Sequence, residues 1–309
     1  MGAVVSSGCT IAMPQPCKWP KTFEHHHLVL KHGCDAADIR AASRKLKALG
    51  SVLLLNALPG DVCSDVLSHM LKCEFAISQN AMNDRSEVGT GDRSSMVCDE
   101  LWDSESLIGA MDLGCLHSLL RRYMRADCWR RYHIVKAGGD KVQPYTFNTQ
   151  QTHSDGAGGL QLYSTPGPIF SLQGRCWSSA LAFSFAVHGV SVDNAAIKIS
   201  DWAAMESYVA RNGMNPPAME DENGVVERLP MPMGSILVRD VRVWHGGTQN
   251  ERHNVRWLPG FVVASQYMMD CEYPYGYRPC RNLRNSRWSE VVQGHPGLKS
   301  HLDYVWRPY

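Results

Sequence analysis

Near Tyr132 the chain changes its hydrophobic rhythm, and that change constrains the fold more than any single motif. Downstream, short β-rich runs alternate with Gly, Pro and Asn: residues 131–136, 145–149, 168–172, 180–187, 195–199, 235–241 and 255–266. Closely spaced short strands of this kind predict a sandwich or barrel. Upstream the spacing is helical. Ala36, Ile39, Ala42, Leu46 and Leu49 recur at helical intervals after Asp35, Gly50 ends the run, and residues 51–56 form a short β-rich stretch. Leu58-Pro59-Gly60-Asp61 then predicts a turn whose Asp61 caps a helix carrying Val62, Val66, Met70 and Leu71. Residues 80–103 are polar and predict a surface loop, and residues 106–123 return to helical spacing. The expectation is a mainly β fold with flanking helices.

The composition is that of a globular chain with a sizeable core: 309 residues, 44% hydrophobic and 20% charged, which excludes disorder, collagen and coiled coil as the main state. Thirty-one Lys+Arg against 30 Asp+Glu leave a formal charge of +1, so no global field draws the molecule to nucleic acid, and no nucleic-acid partner is expected. No apolar run approaches the roughly 18 residues of a membrane helix. The 11 cysteines are odd in number, scattered from Cys9 to Cys280 and without a Cys-x-x-Cys pair, which fits a reduced, intracellular, cytoplasmic setting. Met1-Gly2-Ala3-Val4-Val5-Ser6 matches the myristoylation pattern, with Cys9 as a second acyl site. Peripheral membrane contact follows if Gly2 is acylated; the alternative is an unmodified tail.

Residues 1–22, with Pro14, Pro16 and Pro20, read as an irregular tail, and 23–309 as one domain. Within it the expected parts are a helical layer over about 35–130, a β core over about 131–270 and a C-terminal extension over 271–309. Residues 202–228, with Asn215-Pro216-Pro217 and the acidic Glu220-Asp221-Glu222, read as an insertion loop and candidate lid.

Two segments carry chemistry. In Gln151-Thr152-His153-Ser154-Asp155-Gly156 an extended backbone turns the side chains i and i+2 to one side, so His153 and Asp155 can meet at one point. His-x-Asp by itself is a common pattern. The second segment, Trp244-His245-Gly246-Gly247-Thr248-Gln249-Asn250, ends a β-run in a histidine, and Arg256 follows in the next run between Val255 and Trp257. An inward Arg256 would demand an anion for its planar fork, and a carboxylate is the natural match. An outward one would meet solvent. His153, Asp155 and His245 have the types of the 2-His-1-carboxylate triad that leaves open positions on Fe(II). The run His25-His26-His27 reads as a solvated segment, because neighbouring residues point in different directions. Arg278, Arg281, Arg284 and Arg287 read as a solvated face, beside the alternating Tyr273, Tyr275 and Tyr277. Trp177 and Trp244 read as barrel residues.

The order and spacing resemble the phytanoyl-CoA dioxygenase family of non-heme Fe(II)/2-oxoglutarate oxygenases. Residues 49–55 with Leu58-Pro59 look like its N-terminal strand and helix, and His153-Ser154-Asp155 like its first two ligands. Asp193-Asn194-Ala195-Ala196 is similar to an acidic-Asn-Gly-Ala strand, and Met233-Gly234-Ser235 to a Pro-Gly-Asp approach turn. His245-Gly246-Gly247 with Asn250 and Arg256, eleven positions after the histidine, is the most specific part. The resemblance implies a double-stranded β-helix, or jelly roll, with His153, Asp155 and His245 holding Fe(II) and Arg256 binding the distal carboxylate of 2-oxoglutarate. It further implies dioxygen as co-substrate, succinate and carbon dioxide as co-products, and oxidation, by default hydroxylation, of a small-molecule or lipid substrate. Retention of Asp155 leaves no chloride position of the halogenase kind. The family's Gly-Ser-His element is missing, Ser200-Asp201-Trp202 standing in its place, so the substrate side does not carry over. Two other readings stay open: a jelly-roll metalloenzyme in which Arg256 binds the substrate's own carboxylate, and a catalytically silent binding protein on the same fold.

Overall fold

The computed structural model describes residues 25–30, 35–77, 93–96, 99–123, 132–147, 149–155, 180–213 and 225–265, together with His295 and Leu298. The expectations for residues 1–22, 168–172, Trp177, Tyr273 to Tyr277 and Arg278 to Arg287 lie outside them.

Two sheets face each other, with helices covering the outer face of the larger. Seven strands form that sheet in the order β1-β2-β8-β5-β10-β4-β3: β1 (His27–Val29), β2 (Ser51–Leu55), β3 (Arg93–Ser95), β4 (Tyr132–Val142), β5 (Ala180–Phe185), β8 (Ile236–Asp240) and β10 (Arg256–Ser265). The smaller sheet is β7-β6-β9, from β6 (Ile197–Ile199), β7 (Glu227–Leu229) and β9 (His245–Gly247). From β5 onward the chain crosses between sheets, with β5, β8 and β10 in one and β6, β7 and β9 in the other. Its pairings are antiparallel throughout. That alternation is the double-stranded β-helix.

Period-2 alternation divides the core in two. Leu181, Phe183, Phe185, Val238, Phe261 and Val263 turn outward to the helices, with Phe183 and Phe261 stacked at 4.6 Å and 8°. Leu53, Leu237 and Leu258 turn inward and meet Ile197, Ile199 and Leu229 of the small sheet. Each fully buried Leu or Ile in either layer contributes about 1.5–3 kcal/mol by leaving water.

The helical layer opens with α1 (Ala36–Leu49), whose N-cap Asp35 accepts from the amides of Ala37 and Asp38 at 2.7 and 2.8 Å. Gly50 closes it in the left-handed region at φ 82°, and a Cβ there would lie 2.3 Å from Val243 Cγ2, so both backbone and packing demand glycine. Helix α2 (Gly60–Lys72) begins at Pro59 with no side-chain cap; Asp61 lies in its first turn, where a carboxylate favours the helix dipole without capping it. The helical run over 106–123 is two helices, α3 (Glu105–Met111) and α4 (Gly114–Tyr123), separated at Asp112 and Leu113.

Four further sequence expectations are corrected. Within 80–103, Arg93–Ser95 pair with β4 and Asp99–Asp103 form a 3-10 turn burying Leu101 and Trp102, so this stretch is not wholly a surface loop. Residues 145–147 and 149 do not continue a strand, because Tyr145 takes a left-handed φ of 54°. His26 is buried, its Nδ1 2.9 Å from Ser51 Oγ, because residues 27–29 pair parallel to β2 and pull the histidine run against the sheet. The stretch 202–228 opens with a helix, α5 (Trp202–Asn212), capped by Asp201, which accepts from the Ala204 amide at 2.7 Å. Trp202 and Met205 are buried in the inner core, and Tyr208 meets Trp244 edge to face at 5.5 Å. The start of the supposed lid is therefore anchored, since its apolar face fills core volume. No helix among the described residues is long and apolar enough to cross a membrane.

Candidate metal centre

His153, Asp155 and His245 converge between the sheets. Residues 149–155 run extended alongside β9, and the His153 and His245 backbones bond to each other in both directions at 2.9 and 2.8 Å. Asp155 is tied two residues on, its amide donating to Val241 O at 2.9 Å. One ligand atom from each of the three side chains lies within 4.8 Å of the others. His245 Nε2 is 3.2 Å from Asp155 Oδ2, and His153 Nε2 is 3.6 Å from Oδ1.

The imidazoles are held from behind. His153 Nδ1 is 2.8 Å from Gln151 O, a carbonyl that can only accept, so Nδ1 carries the proton and Nε2 keeps its lone pair toward the centre. Val243 O lies 3.0 Å from His245 Nδ1 and can impose the same tautomer. Burial, reinforced by the charge of Arg239, pushes His245 down to about 4, so at neutral pH it is the uncharged imidazole that ligation needs. Burial alone would raise the Asp155 carboxyl, but the adjoining His245 and the permanently charged Arg239 hold it well below the usual range. The site thus presents a carboxylate, the neutral His245 ring and the His153 ring to one point.

Gly246 and Gly247 follow, and a side chain at either position would have to push aside a buried cationic one. A Cβ on Gly246 would lie 2.7 Å from Lys198 Cε, and one on Gly247 1.8 Å from the Arg93 guanidinium. The triad opens on a cavity of about 130 Å³ whose wall includes Ala182, Ser184, Ile197, Leu258, Gly260 and Val262.

Arg256 faces inward, in alternation with Leu258 and Gly260, and is fully buried. It does not itself line the cavity; Asp140, which does, lies 3.6 Å from Arg256 Nη2. Nη1 donates to Asp140 O at 3.2 Å, while Nε and Nη2 have no hydrogen-bond acceptor among the described residues. Asp140 is shared, accepting from Arg93 Nη1 at 2.9 Å. Burial and the nearby Arg93 pull Arg256 down to about 10 against the pull of Asp140, and it stays cationic at neutral pH. Among the described residues, two buried guanidinium groups share one carboxylate, an arrangement that a further anion would balance. Arg252, the alternative anion group, is half exposed and paired with Asp193 at 2.5 Å.

Sequence reasoning missed Arg93, Asp140 and Arg239. Arg239 lines the cavity, its Nη2 bonds Asp155 Oδ2, and its Nη1 lies 3.2 Å from His245 Nδ1. Its available signal was an arginine inside the apolar run Ile236-Leu237-Val238-Arg239.

No family model and no curated protein sequence matches the chain. Among solved structures it is similar to the non-heme alpha ketoglutarate dependent epimerase SnoN from nogalamycin biosynthesis, at 13% identity and a TM-score of 0.48, covering 74% of this chain and 83% of that one. It is also similar to EvdMO1, at 14% identity and a TM-score of 0.47, covering 73% of this chain and half of EvdMO1.

Proposed function

We propose that the chain is a non-heme Fe(II)/2-oxoglutarate-dependent dioxygenase of phytanoyl-CoA dioxygenase type that oxidises, by default hydroxylates, a small-molecule or lipid metabolite. The observation that carries the reading is the convergence of His153, Asp155 and His245 within 4.8 Å, with an inward, incompletely bonded Arg256 on the strand that follows. Two imidazoles and one carboxylate, without a thiolate, are the donor set that suits Fe(II) with positions left open. Bound there, iron would supply the activation of dioxygen at the expense of 2-oxoglutarate, which leaves as succinate and carbon dioxide.

The chain's own residues set up the rest. His153, Asp155 and His245 hold the ion; the Gln151 carbonyl orients the His153 ring, and the Val243 carbonyl favours the His245 tautomer that ligation needs. Arg256 takes the distal carboxylate of 2-oxoglutarate, with Arg93 as a second positive group beside Asp140. Ala182, Ile197, Leu258 and Val262 give one side of the cavity an apolar wall against which a substrate C–H bond can be positioned.

The test is an anaerobic titration of the protein with Fe(II) and then 2-oxoglutarate. A weak visible charge-transfer band is the expected result; metal binding without the band would move Arg256 to the substrate's own carboxylate, and no metal binding would end the enzymatic reading. Mass spectrometry of cell extract incubated with the iron-loaded protein, 2-oxoglutarate and oxygen then identifies the substrate as the species that gains one oxygen atom.

A further inference from the structure

We infer that Arg239 is a built-in stand-in cation for the metal centre: it neutralises Asp155 and engages His245 itself, and a divalent ion must displace it from His245 to bind. The inference rests on the metal-site reading above and goes beyond it.

Arg239 is buried and projects inward from β8, where its guanidinium reaches two of the three triad residues. Nη2 bonds Asp155 Oδ2, Nη1 is 3.2 Å from His245 Nδ1, and Nε is buried without an acceptor among the described residues. His245 Nδ1 is contested, because Val243 O lies 3.0 Å from the same nitrogen. A neutral imidazole nitrogen either donates or accepts, so the two contacts belong to two tautomers.

In the first tautomer Nδ1 accepts from Arg239, and Nε2–H donates to Asp155 Oδ2 across 3.2 Å. Arg239, His245 and Asp155 then close a ring of hydrogen bonds, and the Nε2 lone pair that a metal needs is gone. In the second tautomer Nδ1–H donates to Val243 O, and Nε2 turns its lone pair to the centre. Arg239 Nη1 now faces an N–H and has to withdraw, since two donors cannot bond.

Ion binding therefore exchanges the Arg239–His245 contact for a metal–His245 contact. Arg239 stays on Asp155 Oδ2, which leaves Oδ1, the oxygen nearer His153, for the ion. The guanidinium thus organises the ligands at the cost of placing a like charge beside the dication. Removing that charge strengthens divalent binding by about 10-fold or more, because a unit charge against a dication a few ångströms away outweighs one lost hydrogen bond.

The experiment uses the full chain, stripped of metal by chelation and titrated with Co(II), following the ligand-field absorption and thermal unfolding. Arg239→Met should bind Co(II) at least about 10-fold tighter than the unsubstituted protein. Its metal-free form should melt lower, with Co(II) closing the gap, and Arg239→Lys, which keeps the charge, should stay within about 3-fold of the parent. Arg239→Gln keeps a donor for Asp155 without the charge and carries the same expectation as Arg239→Met should the latter not fold. Equal or weaker Co(II) affinity in the neutral variants overturns the stand-in role. Failure of the unsubstituted protein to bind Co(II) overturns the metal-site reading itself, so the two failures are distinguishable.

Discussion

Arg239 and Asp240 are consecutive residues of β8, and they serve two buried charge clusters of opposite character. Asp240 points to the helical layer, where Arg242 grips it with Nε at 2.8 Å and Nη2 at 2.7 Å, the Arg242 amide adds a bond at 3.0 Å and the Tyr123 hydroxyl donates at 3.1 Å. Trp202 stacks on that guanidinium at 5.4 Å, and both charged side chains are buried. Arg239 points the other way, to Asp155, with Nε unbonded among the described residues and its contact to His245 contested. A saturated cluster fixes geometry, whereas an unsaturated one on a cavity waits for a ligand. Both use an arginine and an aspartate, so residue type alone does not separate structure from site; the count of unmet hydrogen bonds does.

The sharpest break of that comparison sets Asp155→Ala against Asp240→Ala. Asp155→Ala should abolish iron-dependent succinate formation and leave the fold intact, as should His153→Ala and His245→Ala. Asp240→Ala should strand Arg242 and cost about 3–5 kcal/mol in denaturant unfolding. If Asp155→Ala unfolds the chain or Asp240→Ala leaves stability unchanged, the division into site and scaffold is wrong.

Next in size is Arg256→Lys. A point-charge ammonium cannot reproduce a two-bond fork, so 2-oxoglutarate affinity should fall by roughly 30-fold to 1000-fold, or about 2–4 kcal/mol. Unchanged co-substrate affinity in an equilibrium titration would transfer the distal carboxylate to Arg93.

His26 extends the comparison to pH. Burial and the neighbouring His25 lower it from 6.5 to about 4, so the folded chain resists protonating it while the unfolded chain does not. Its stability contribution is complete above 6.5 and declines as pH falls toward 4, by about 3 kcal/mol in all. His26→Asn should flatten that stretch of the stability–pH profile; a profile of unchanged slope would clear His26 of the effect. The smallest effect belongs to Tyr123→Phe, which removes one bond from a carboxylate with several donors and should cost about 1 kcal/mol, without change in metal affinity.

How much was legible follows the range of each contact. The α1 cap at Asp35, the stop at Gly50 and most core strands are written in local pattern. His153 with Asp155, and His245 with Arg256, were visible because each pair lies on one segment or its successor. Arg239 meets Asp155 across 84 residues, and Arg93 meets Asp140 across 47. Such pairings are decided by which strands become neighbours, a property no local spacing states. Helix α5 was misread because prolines and acids farther along 202–228 masked an ordinary amphipathic turn with a capping aspartate. The histidine run was misread because its burial depends on parallel pairing with a strand 26 residues away, Leu53 opposite His27.

β8 is paired on both sides, with β2 through Leu53 opposite Leu237 and with β5 through Phe183 opposite Val238. A slip of one residue along either neighbour would invert every side chain on the strand. It would aim Asp240 at Asp155, two acids in one cavity, and drive Arg239 into the apolar layer beside Phe183 and Phe261. Misassembly at this strand is thus penalised by charge as well as by lost apolar contact, and the same two residues that divide scaffold from site also proofread the register of the sheet that carries them.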